Sequence, residues 1–238
     1  MAADALHPTD LPRRGFVWRR LVAEGARFRE LNGMALATGF GDDPAAEEAR
    51  ARRLGLADLS PLPRTGFKGR DSLAWLKGQG LAGLEQDNVA DLQPDGALAA
   101  RLAPGEAVVL SDLAGGATIC DRLDRTWPDG ATGLCFPVGR QDANFWFMIG
   151  GEQAPAMFTR ICGVDLRPGR FAEGAIAQTS VARLNAIVIR AHGGQVPGFH
   201  ILGDSASADW FRFCLLDAMA EFDGGPVGHD AILAVHGG

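Results

Sequence analysis

Residues 55–76, GLADLSPLPRTGFKGRDSLAWL, set the reading of the whole chain. Residues 56–59 are apolar apart from Asp58 and end at Ser60-Pro61, which predicts a short strand. Residues 65–68 predict a second strand, closed by Gly69. Asp71 or Ser72 then caps a helix carrying Leu73, Trp75 and Leu76, because a short polar side chain accepts the first-turn amide protons. Taken alone, these residues describe an ordinary strand–turn–helix of a mixed fold.

A similar arrangement returns downstream. Residues 145–149 predict a strand, Gly150-Gly151 ends it, and a helix follows through Met157, Phe158 and Ile161. Each copy has a strand, a glycine, a polar cap region and a bulky pair, Trp75-Leu76 or Met157-Phe158, which predicts burial of all four side chains. Two copies of one unit imply an α+β fold built from two pseudo-repeated halves, roughly residues 54–140 and 141–222. We read residues 1–238 as one domain, with an N-terminal helix and hairpin before the halves.

Between and around these units the pattern is uneven. Residues 1–12 read as a disordered or draped arm, and residues 16–23 as a short helix with Trp18, Leu21 and Val22 on one side. Asn32-Gly33 is a strong hairpin signal, since both residues tolerate positive φ. Asp43-Pro44 opens a helix through Arg53. Residues 97–102 and 107–110 predict strands, while glycines and Pro128 break residues 111–143 into short pieces. Residues 176–183, 186–191 and 199–202 predict strands. Asp204 or Ser205 caps a helix whose Phe211, Cys214, Leu215, Ala218 and Phe222 share one face. The last dozen residues read as a tail or an added strand.

The 238 residues are 47% hydrophobic and 22% charged, with a net charge of −6. That balance argues against a nucleic-acid partner. No apolar run is long enough to span a bilayer, and residues 1–12 lack a signal-peptide core. We therefore expect a cytoplasmic protein with no membrane partner. Cys120, Cys135, Cys162 and Cys214 are widely spaced and contain no CxxC, so reduced thiols are expected.

Five runs resemble a known family. GARFRELNGM (25–34) and EEARARRLGLADLSPL (47–62) resemble the glycine-cleavage T protein. RLAPGEAVVL (101–110), CGVDLRPGRFAEGAIAQTSVARLNAIVIR (162–190) and DSASADWFRFCLLDAMAEF (204–222) resemble the gamma subunit of heterotetrameric sarcosine oxidase. The resemblance implies their shared folate-binding fold, over most of residues 16–222. It places Asp58, Ser60 and Leu62 on the family's acid, serine and folate-flanking positions, and Gly198-Phe199 at the end of its Gly-Glu-x-Gly turn. It implies tetrahydrofolate as a non-covalent cofactor, with Leu62, Arg64 and Gly198 as candidate binding residues. Val196 stands near where that turn carries a glutamate, and the chain has no tyrosine, a residue the family uses around folate.

Folate chemistry needs a carboxylate near the reacting nitrogens. Asp112 follows an apolar strand and is the candidate catalytic residue, although the first reading of both it and Asp121 is a solvated loop aspartate. Arg64 and Lys68 can pair with a glutamyl tail or an acidic partner, or can be alternating residues of an exposed strand face. His192 and His200 can approach across paired strands, but further zinc ligands at suitable spacing are missing, so each histidine reads as a surface or turn residue and no metal is expected. No Walker loop, GxGxxG or Gly-x-Ser-x-Gly is present. The resemblance thus implies a sarcosine oxidase gamma-like subunit, paired with a flavoprotein, that supports oxidative demethylation of a methylated amine. The alternatives are a stand-alone tetrahydrofolate-dependent aminomethyltransferase and a ligand-free relic of the fold.

Overall fold

The structure, a computed structural model, describes residues 6–41, 43–130 and 133–237, with the side chains of 128–130 left aside. The first part of the predicted N-terminal arm, residues 1–5, lies outside the described residues. A short helix α1 (Trp18–Ala23) precedes a hairpin of β1 (Ala26–Leu31) and β2 (Met34–Phe40). Asn32 and Gly33 adopt φ of 52° and 69°, the left-handed pair that a two-residue hairpin turn needs. Helix α2 (Pro44–Leu54) starts on Asp43, whose carboxylate accepts from the Ala45 and Ala46 amides. It runs into β3 (Gly55–Asp58).

From there the chain traces one pattern twice. First come β4 (Arg64–Lys68), α3 (Ser72–Gly78), β5 (Val89–Leu92), β6 (Leu98–Ala103), β7 (Glu106–Leu110), α4 (Ile119–Gly130) and β8 (Phe136–Pro137). After the single turn α5 (Arg140–Ala143) come β9 (Asn144–Gly150), α6 (Ala154–Ile161), β10 (Ile176–Val181), β11 (Leu184–Arg190), β12 (Gly198–Asp204), α7 (Ala208–Ala220) and β13 (Gly225–Pro226). Helix α8 (His229–His236) closes the described chain. The sheet orders are β5-β6-β7-β4-β8 and β10-β11-β12-β9-β3-β13, antiparallel except for the β3–β13 pair.

The predicted repeat is present, and its glycines explain it. Gly69 and Gly151 have φ of 133° and 129°, where a side chain is strained. A Cβ on Gly69 would overlap the Leu134 carbonyl, and one on Gly151 the Arg53 carbonyl. Each glycine amide donates to the residue before the neighbouring strand, Gly105 at 2.8 Å and Pro197 at 2.9 Å. Two residues on, Asp71 N–H donates to Leu134 and Gln153 N–H to Arg53, both at 3.0 Å. Leu134 precedes β8 and Arg53 precedes β3. So β3 occupies beside β9 the place that β8 occupies beside β4. The sequence reading put residue 54 onward in the first half; β3 instead pairs in the second sheet.

Side-chain alternation builds the layers. In β9, Phe145, Phe147 and Ile149 face α6 and α7, while Trp146 and Met148 face the other sheet. In β7, Val108 and Leu110 face the second sheet, while Ala107 and Val109 face α3 and α4. The two sheets therefore pack face to face, with helices on both outer surfaces. Trp75, Leu76, Met157 and Phe158 are all buried, as expected.

Several local expectations are corrected. Asp71 stands at the α3 N-cap position but makes no capping bond; its carboxylate accepts from Leu134 N–H at 2.8 Å instead. Residues 111–143 contain a real helix, α4, whose Ile119, Cys120, Leu123 and Trp127 pack on the first sheet. The strand predicted through Arg183 stops at Val181, because Ala182 and Arg183 turn at φ of 50° and 66°. The last dozen residues, expected as a tail or an added strand, instead form the helix α8; the short β13 lies just before them.

Candidate functional site

The crevice between the sheets opens at one end into a cavity of about 330 Å³. Its wall comes from three places: the β6–β7 end with Asp95, Ser111 and Asp112; the β11–β12 end with His192 and His200; and α8 with Leu233 and His236. Asp112 follows β7 directly, so its strand delivers it to the crevice mouth. Its Oδ1 accepts from Ala117 N–H at 2.6 Å and from Ser111 Oγ at 3.2 Å, which fixes the carboxylate. Asp112 thus faces a cavity rather than lying free in a loop, whereas Asp121 is exposed on α4.

Three histidines, His200, His229 and His236, are buried and overturn the expectation of surface or turn residues, whereas His7 is exposed and His192 is half-buried in the bend after β11. His200 is 3% exposed, and its Nδ1 accepts from Trp146 Nε1 at 3.2 Å, so the proton of the neutral ring sits on Nε2. Burial first, then His236 and His192, push its pKa down to about 3. His236 is 4% exposed, and neither ring nitrogen has a hydrogen-bond partner among the described residues. Burial first and the Arg190 charge second lower its pKa to about 4. A Cβ on Gly150, Gly194 or Gly198 would strike this imidazole, so three glycines form its socket. His229, fully buried one face-repeat earlier on α8, is bonded through Nε2 to the Leu113 carbonyl at 2.6 Å, which ties the helix to the Asp112 loop. His192 reaches the Ala90 carbonyl through Nε2 at 2.8 Å. Among the described residues no three metal-binding side chains converge.

The other candidate residues are placed apart from Asp112. Gly198 borders the site as part of the His236 socket. Leu62 is buried beneath the loop, in reach of a side chain at Gly115. Arg64 is 2% exposed, and its guanidinium donates to the carbonyls of Ser60, Leu62, Arg140, Gln141 and Asn144. Burial lowers its pKa to about 10. It clamps the 140–144 turn to its own loop, so neither an exposed strand face nor a free anion site describes it. Lys68 is exposed and paired with Glu106 at 3.1 Å. His229 and His236, seven residues apart with Ile232 between, carried a helical signal in the sequence. The glycine socket did not, because its three members belong to different strands and loops.

Comparison with known proteins gives the fold its place. No family model matches the chain, and no curated protein matches it. Among solved structures, the glycine cleavage system aminomethyltransferase T of Bartonella henselae superposes with a TM-score of 0.72 at 16% identity. The fold is that of this aminomethyltransferase. The match covers 94% of this chain but 62% of the other, so this chain spans under two thirds of its length. A chain of heterotetrameric sarcosine oxidase from Corynebacterium sp. U-96, in complex with pyrrole 2-carboxylate, superposes with a TM-score of 0.59 at 18% identity. There 77% of this chain accounts for 97% of the other. No helix is long and apolar enough to cross a membrane among the described residues.

Proposed function

We propose that this chain is a folate-fold subunit of one-carbon metabolism, of the sarcosine oxidase gamma type, that supports oxidative demethylation of a methylated amine by a flavoprotein partner. One observation carries the reading: the chain spans 97% of a chain from a heterotetrameric oxidase, against 62% of the aminomethyltransferase. The cavity supports a reduced ligand role. Its volume of about 330 Å³ lies near the bottom of the ~300–1,000 Å³ span of small-molecule sites. Val196 contributes no carboxylate beside it, and a ring N–H left without an acceptor costs about 1–3 kcal/mol. Asp112, Gly198 and His236 are the residues that would border tetrahydrofolate here, the carboxylate supplying an acceptor and the glycine a close backbone approach.

The stand-alone aminomethyltransferase remains the second reading, favoured by the 94% coverage of this chain and by the fixed Asp112 carboxylate in the cavity. Isothermal titration of the purified chain with tetrahydrofolate separates the two. The subunit reading expects weak or no binding, together with stoichiometric co-purification of a flavoprotein from the native host. Tight binding with transferase turnover would promote the second reading and remove the first.

A further inference from the structure

Helix α7 is apolar on more sides than the fold covers. Its inner face, Phe211, Leu215 and Met219, is fully buried in the second half. On its outer face Trp210 and Phe213 are each 59% exposed and stack on one another, with ring centroids 5.4 Å apart. The stack stands as a ledge between two hollows. One, of about 400 Å³, lies toward Arg20 and Glu24 of the N-terminal helix region. The other, of about 680 Å³, has Ile161, Cys162, Leu184, Cys214 and Ala218 among its lining. Two large stacked rings held in water, beside a partly apolar hollow, form the kind of patch that marks an association surface.

The charges around the ledge say what covers it. Arg20 is paired with Asp209 at 2.8 Å, Arg160 with Glu221 at 3.1 Å, and Arg212 with Glu24. Arg183, at the tip of the β10–β11 turn, and Asp217, on α7, are exposed on the larger hollow, and neither has an ion-pair partner among the described residues. Around the larger hollow the patch thus offers a projecting ledge, a space to receive one, a spare cation and a spare anion. Those are the complements a two-fold contact requires, because in it residue i meets j and j meets i. We propose that this face binds a second copy of this chain. Each Trp210–Phe213 ledge enters the larger hollow of the other copy, and Arg183 of each meets Asp217 of the other. The inference does not rest on the one-carbon reading.

Sedimentation velocity of the purified full chain over a wide concentration range tests it. The parent is expected to form a reversible dimer. Phe213→Asp is expected to raise the dissociation constant on the order of 100-fold, the scale of a central interface residue. Because Phe213 is exposed, its circular dichroism and melting should match the parent. Arg183→Asp and Asp217→Arg should each weaken the dimer, and the double exchange should restore it. A parent that is monomeric at every concentration overturns the proposal and leaves the ledge to a different polypeptide. A dimer indifferent to Phe213→Asp, or single exchanges not rescued by the double, overturns it as well.

Discussion

The Gly69 and Gly151 turns share a backbone and share almost no side chains. After the glycine one reads RDSLAW and the other EQAPAM, yet the same three backbone constraints recur at each. What repeats is a position where only a glycine lets a strand end pass beneath a neighbouring carbonyl. What differs is the origin of that carbonyl. At Gly69 it comes from Leu134, downstream of the unit; at Gly151 it comes from Arg53, far upstream. Backbone geometry is thus conserved within the molecule while the segment that satisfies it is exchanged.

The comparison breaks most sharply at the glycines. Gly69→Ala and Gly151→Ala each place a Cβ against backbone that cannot rotate away, in a φ region that L residues avoid. Each is expected to lose more than about 3 kcal/mol, in the tail of single-substitution effects. Thermal and urea melts check this, and equal losses at the two sites are the expected result. A parent-like melt for either would show that the two turns are not equivalent.

The packing partners come next. Trp75, against Phe67 at 4.7 Å, is a large side chain under the first sheet, and Phe158, one place further along its helix and against Phe199 at 5.1 Å, is one under the second. Truncating either to alanine should cost roughly 3–5 kcal/mol. Chemical denaturation that finds one of them silent would remove that side chain from the core.

Acid separates the two halves. His200 and His236 both belong to the second half and its closing helix, and their folded pKa values of about 3 and about 4 lie below the ordinary 6.5. Groups shifted this way contribute stability that is fully present above pH 6.5 and is lost as pH falls toward 4 and 3, since the unfolded chain then binds more protons. His236 alone accounts for about 3 kcal/mol of that loss, at roughly 1.36 kcal/mol per unit. His236→Leu should flatten the stability profile between pH 6.5 and 4. An unchanged slope would show that the imidazole is not held neutral by burial.

The smallest effect concerns the two hairpins. Asn32-Gly33 turns the first with favoured residues, whereas Ala182 and Arg183 turn the second against their preference. Ala182→Asn should stabilise the chain by about 0.5 kcal/mol, read as a small rise in melting temperature. No rise would mean that the turn is not strained.

These contrasts mark what the sequence made legible. The repeat could be read because its glycines are required by φ and its bulky pairs follow at fixed spacing. Helix α4 was hidden by Gly115-Gly116 before it and by Pro128 and Gly130 within its last turn, although Ile119, Leu123 and Trp127 keep helical spacing. Helix α8 is short and flanked by glycines, so the helical spacing of His229, Ile232 and His236 was too brief to stand out. Of the candidate site, Asp112 was legible from its place after an apolar strand. His236 was not, because its burial is created by Gly150, Gly194 and Gly198, which meet only in the folded chain. Arg64 was misread because alternation with Lys68 predicts a shared face, whereas Arg64 turns back onto two carbonyls of its own loop and three of the 140–144 turn.

The displaced position of β3 also orders events in time. During synthesis the first sheet can close as soon as β8 is made, since all of its strands lie between Arg64 and Pro137. Strand β3 is finished earlier but has nothing to pair with until β9 appears, where Ala57 meets Met148. Until then a strand destined for burial along its whole length waits at the ribosome with bare edges. The half that is encoded last is therefore the half whose earliest segment needs protection, and a growing chain stalled before residue 144 carries one finished sheet beside one orphaned strand.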